Sequence, residues 1–238
     1  MKKLLFLLLL FAACKQPTAI DVPQTTEEEI TSTSDSIAEE KDSIFCRIDF
    51  SKETIETTTD PEPGPAIAKA AESLQYQKVV YNGAYYSIDY PNGDVPSNIG
   101  VCTDVVIRTY RKFGIDLQQK VHEDILGARS AYSSVKKVDS NIDHRRVPNL
   151  MKFFERHGEV KPCSNNIEDY APGDIVCWKL YGGLNHIGIV TSIKNEAGVY
   201  LMMHNIGSGQ EINDFLFASK IIGHYSYAPE EIYVQLNN

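Results

Sequence analysis

Pro172-Gly173-Asp174-Ile175-Val176-Cys177-Trp178-Lys179-Leu180 is followed by Tyr181-Gly182-Gly183-Leu184-Asn185 and then by His186-Ile187-Gly188-Ile189-Val190. This stretch reads as turn, strand, turn, strand: two short apolar runs rich in β-branched residues, each preceded by glycine punctuation. Val199 to His204 and Ile221 to Tyr227 repeat the pattern downstream. Upstream the apolar spacing changes to a helical one. Helices are expected over Ala66–Gln77, Val101–Phe113, Ile115–Ile125 and Val147–His157, the last with Pro148 in its first turn. Gly114 follows the second of these as a helix stop. Between the first two, Lys78–Tyr81 and Ala84–Asp89 look extended about an Asn82-Gly83 turn, and residues 127–146 look like an exposed loop. Helices first and neighbouring strands after predict an α+β domain, with N-terminal helices packed on a small antiparallel sheet.

The segment before this domain has a different character. Met1-Lys2-Lys3 followed by the apolar run Leu4 to Phe11 has the layout of an export signal, too short to span a bilayer. Ala12-Ala13-Cys14 resembles a bacterial lipobox. The resemblance implies removal of residues 1–13 and acylation of Cys14, which would anchor the chain to a membrane. Lys15 to Pro65 holds thirteen acidic and four basic residues among many Ser and Thr. A segment of that composition cannot bury enough apolar surface to order itself, and its charge extends it. Residues 14–65 therefore read as an acidic tether, broken by Ile44-Phe45-Cys46-Arg47-Ile48-Asp49-Phe50, and residues 66–238 as one domain. The net charge of −9 belongs almost wholly to the tether. No basic stripe is visible, which excludes nucleic acid as an expected partner.

Five cysteines are present, none in C-x-x-C spacing, and no H-E-x-x-H occurs, so neither a metal centre nor another cofactor is expected. Cys177 reads as a core residue and Cys163 as a loop thiol. Cys102 is different. It sits in Gly100-Val101-Cys102-Thr103-Asp104 at the start of a helix, where backbone amides can lower a thiol pKa and stabilise an oxyanion. Its bland alternative is a core cysteine on the Val101–Val105 face. His186 opens a strand, where a ring can point into a cleft. His204 ends the next strand, and antiparallel pairing brings that end beside His186. His204 would then fix the His186 tautomer, with the adjacent Asn205 as the rival for that role. Asp104 suits the helix dipole as well as it suits a site. Asp94 fits turn chemistry or a ligand contact. Arg145 and Arg146 can grip a carboxylate or pin a loop through internal ion pairs.

The order Cys at a helix start, Pro-Gly-Asp plus a strand, His-Ile-Gly-Ile-Val, and a strand ending in His resembles NlpC-type cell-wall peptidases, which have a papain-like fold. More closely, Tyr90 to Asp104, Asn141 to Leu150 and Gly182 to Val190 are similar to the bacterial domain-of-unknown-function family twelve-eighty-seven. The resemblance covers the chain from about Lys78 onward. It implies Cys102 as nucleophile, His186 as base and His204 as the third polar residue. NlpC-type enzymes carry Asp before the cysteine and Ser-Gly or Ser-Ala after it, where this chain has Val101 and Thr103-Asp104. By this resemblance the substrate would be a peptidoglycan stem peptide, cut by an exported, lipid-anchored endopeptidase or amidase of the cell envelope. A non-catalytic module that binds wall peptide is the alternative expectation.

Overall fold

The computed structural model describes residues 62–237; the signal, lipidation and tether readings, with Cys14 and Cys46, lie outside them. Helix α1 spans Pro63–Glu72 and runs into a 3-10 turn over Ser73–Tyr76. It starts three residues before Ala66, because proline at the first helical positions is preset for the helix and loses no needed donor. Strand β1 (Val80–Tyr81) then pairs in parallel with β2 (Ile99–Gly100). The Asn82-Gly83 hairpin does not form. Asn82 instead accepts from the Ala84 amide in a side-chain-closed turn, and residues 84–89 run on without a ladder partner.

Helix α2 is Cys102–Arg111. Every residue from Cys102 to Tyr110 is buried. Even Arg108 is inside, held by Asp94 and the Ile99 carbonyl. Helix α3 is Leu117–Gly127, capped by the Asp116 carboxylate, and α4 is Val147–His157 with proline in its first turn. Residues 127–146 are not an exposed loop. Tyr132, Val135, Asp143 and His144 are buried, and the turn Asp143–Arg145 is pinned by bonds to its carboxylate and carbonyl from His122, Asp139 and Asn149.

Six strands form one antiparallel sheet: β3 (Glu159–Val160), β4 (Ile175–Lys179), β5 (Asn185–Lys194), β6 (Tyr200–Asn205), β7 (Gln210–Asn213) and β8 (Lys220–Ser226), in the order β3-β8-β4-β5-β6-β7. A last helix, α5 (Glu230–Leu236), follows. The architecture is α+β. The sheet has apolar residues on both faces. Ile187, Ile189, Cys177 and Met203 join the helices' core, whereas Trp178, Val190 and Met202 pack under residues 214–217 on the other side. Trp178 meets its one polar need by donating from Nε1 to the Leu216 carbonyl at 2.9 Å. Among the described residues no helix is long and apolar enough to cross a membrane.

Candidate functional site

Cys102 is the first residue of α2, and its neighbour Val101 is the helix cap. The Asp104 carboxylate accepts from the Val101 amide at 2.7 Å, which satisfies one of the unpaired donors of the helix start. The sulfur is pressed against β5. The amides of Ile187, Thr103 and Cys102 itself reach it and favour the thiolate, yet burial outweighs them and the Asp104 charge adds to it. The thiol is pushed up to about 11.

His186 and His204 are brought together. In β5 the residues alternate, so His186 and Gly188 face the Trp178 side while Ile187 and Ile189 face the helices. The β5–β6 register pairs Ile189 with Met203, which sets His204 opposite Gly188 and diagonal to His186. Glycine at 188 lets the two strands approach closely, since a Cβ there would lie 3.0 Å from the His204 Cβ and would press it aside. His186 Nε2 and His204 Nδ1 are 2.7 Å apart, and His204 Nε2 is 2.6 Å from Asn213 Oδ1. Trp178 and Phe215 close over the pair, with ring centroids 5.6 and 5.5 Å from that of His186.

The orientation of the Asn213 amide, with its oxygen toward His204, sets where the protons lie. The Asn213 oxygen can only accept, so His204 carries its proton on Nε2 and offers a lone pair on Nδ1. His186 must then donate from Nε2, which leaves the lone pair on its Nδ1. That nitrogen has no partner among the described residues. It is not sealed off either: the sealed, unpartnered nitrogens are on Arg108, Arg111 and His144. Burial, with His204 adding to it, pushes His186 down to about 3, and burial also lowers His204. Near neutral pH the resting site therefore holds a protonated thiol and a neutral imidazole. No hydrogen bond joins them. The sulfur touches the amide of Ile187, one residue from the ring.

A cleft of about 380 Å³ opens at Cys102. Its walls include Thr103, Ser134, Arg145, Arg146, Asn149 and Asn185. His186 and His204 do not line it; Asn185, the residue before His186, does. The remaining expected ligand contacts have mixed fates. Arg145 donates from Nε and Nη2 to the two Asp104 oxygens at 2.8 and 2.9 Å, and both side chains are 3 % exposed. That fork spends both charges internally and ties the Cys102 helix to the Asp143–Arg145 turn. Asp94 is likewise held by Arg108 and Arg111. Asn205 is buried and braces the Gly100 carbonyl instead of His186. Arg146 is exposed on the cleft wall, and its side chain has no ion pair among the described residues. Asn213 is the contributor that sequence reading missed. It lies on an edge strand with no apolar alternation to announce it. Cys102, Cys163 and Cys177 are free thiols, and no described His, Cys, Asp and Glu gather in threes as a metal would require.

Buried neutral histidines set the acid limit of the fold. His144, beside the cleft, is pushed down to about 4 by burial and by Arg145, and it joins His186 at about 3 and the lowered His204. All three start from 6.5 in the open chain. As pH falls below that value the unfolded chain takes up protons that the fold refuses, so stability falls with pH, by up to about 1.4 kcal/mol per pH unit for each ring. Asp124, for which Arg156, Tyr132 and His157 overcome burial and hold the carboxyl down to about 2, keeps its contribution across this window. Urea midpoints should decline steadily from pH 7 to pH 4. A flat midpoint over that range would contradict the neutral rings.

Similarity to known proteins adds the family and no activity. Residues 68–227 match the model described as "Domain of unknown function (DUF1287)". The chain is also 47 % identical over 165 residues to "Uncharacterized protein YijF" of Escherichia coli (strain K12), covering 68 % of this chain and 80 % of that one. Together with the helix-borne Cys102 and the His186–His204 pair, which fall inside the matched span, these similarities show that the chain belongs to the DUF1287 family.

Proposed function

We propose that the protein is a cysteine hydrolase of papain-like, NlpC-type fold that cuts amide bonds in peptidoglycan stem peptides, as an endopeptidase or amidase. The observation that carries this reading is the Asn213–His204–His186 chain, which leaves an unprotonated ring nitrogen on the residue next in sequence to Ile187, whose amide reaches the Cys102 sulfur. The Cys102 thiol attacks the amide carbonyl carbon while His186 Nδ1 takes its proton. The amides at the start of α2 stabilise the oxyanion. His186 returns the proton to the departing amine, leaving a thioester on Cys102. Water then attacks the thioester with His186 again as base, releasing a carboxylic acid and restoring the thiol. His186 faces the Trp178 side of β5 and the sulfur lies on the helix side, so proton transfer requires the ring to turn past the end of β5 toward Asn185 and the cleft. Acylation at Cys14 and the acidic tether would place this domain at a membrane of the cell envelope.

Sacculi digested with the full chain and with its Cys102→Ala form test the proposal. The intact protein should release peptides or amino groups that the variant does not. Identical muropeptide profiles would end the claim for this substrate. One observation favours a second reading, a module that binds wall peptide without cutting it: Cys102 is buried, and that burial holds its thiol protonated. Retained sacculus binding with no Cys102-dependent release would select it.

A further inference from the structure

The Cys102 cleft does not end at its own walls. A second cavity of about 380 Å³ adjoins it, and the two share Ser134, Ile142 and Arg146. The annex is bordered by Lys136, Lys137 and Arg146. All three are exposed, and among the described residues no hydrogen bond or ion pair is formed by their side chains, although the Lys137 charge is near enough to Asp139 to help hold that carboxyl low. Two carboxylates also line the annex, Asp139 held by Asn141, the Tyr85 hydroxyl and the Lys137 charge, and Asp143 by His122 and the Asp139 amide, so the three cations leave the annex one positive charge in excess. Arg146 is in addition the cap of α4, so the positive end of an eleven-residue helix faces the same junction.

We propose that this annex is a binding subsite for an acidic peptide, whose carboxylates lie along Arg146, Lys136 and Lys137 while its amide reaches Cys102. The inference rests on the hydrolase reading only for that last clause; the binding is independent of any chemistry. Charge is the specific part. A guanidinium at the shared wall can take a carboxylate in a fork, and the two lysines supply further positive charge at the far end. The opposite expectation holds for a peptide of the same length without charge, which finds no carboxylate partner for these groups to pair with.

Fluorescein-labelled alternating alanine–glutamate and alanine–glutamine octapeptides, titrated against the full chain carrying Cys102→Ala, read this directly by polarisation. At low salt the glutamate peptide should bind about tenfold more tightly, and the margin should shrink as salt screens it. Arg146→Ala, and Lys136→Ala with Lys137→Ala, should each reduce the margin while leaving the affinity for the glutamine peptide unchanged, which also shows that the variants are folded. Equal affinity for the two peptides would overturn the proposal. So would a margin that survives all three substitutions, or inorganic phosphate that displaces the peptide at matched charge concentration. None of these results depends on hydrolysis, so a failure here is distinct from a failure of the sacculus digestion.

Discussion

Arg145→Met is expected to lower the free energy of unfolding by about 3–5 kcal/mol, because it leaves the Asp104 carboxylate buried without its partner. The two side chains are 3 % exposed and meet through two parallel hydrogen bonds, so methionine leaves the carboxylate at the helix start without its cation. The Arg145 side chain shows the coupling from its own side: burial disfavours its charge, and Asp104 more than restores it. Removing both charges is a different matter. Asp104→Asn combined with Arg145→Met should recover much of the loss, since a neutral pair in that volume carries no desolvated ion. Urea unfolding of the three variants and the parent measures the cycle. A single-variant loss below about 1 kcal/mol would mean that the pair behaves like a surface bridge. The consequence reaches the site: Cys102 is two residues from Asp104, so the cleft mouth is built on this ion pair.

His186→Ala is expected to slow acylation of Cys102 by about 10²–10⁴-fold, the usual effect of removing a positioned general base. The thiol has no other route to the thiolate near neutral pH, because burial holds it up at about 11. His204→Ala and Asn213→Leu should each cause a smaller loss. They leave the base in place but release its tautomer, so part of the population carries the proton on the nitrogen that must be empty. If His204 and Asn213 were merely structural, their variants would change stability and leave the pH profile of acylation where it was.

Much of this arrangement is legible in the amino-acid order because it follows from periodicity. The α4 helix spans the residues that its spacing predicts, and β4, β5, β6 and β8 lie on the runs that alternate or cluster apolar residues. The juxtaposition of His186 with His204 follows from antiparallel pairing of two consecutive strands. What periodicity does not carry is not legible. Strand β7 is four residues long on a sheet edge, and it supplies Asn213. Residues 127–146 hold their shape through side-chain-to-backbone bonds with no repeat to read. The choice between Asp94 and Asp104 as ligand contacts and as internal partners is a question of which arginine lies near, and that is settled by distances across 14 and 41 positions of chain. The Asn82-Gly83 pair carries a hairpin signal, yet the strand before it finds a parallel partner in β2. There tertiary pairing overrides a local turn preference.

The most direct test of the proposed chemistry is the state of one sulfur during turnover. Excess full-chain protein mixed with wall peptide, quenched in acid at successive times and digested, should yield a Cys102-containing peptide heavier by one acyl fragment. That adduct should rise and decay in the parent and form about 10²–10⁴-fold more slowly in His186→Ala. Product that accumulates while Cys102 stays unmodified at every time, and at the same rate when His186 is gone, would contradict the account.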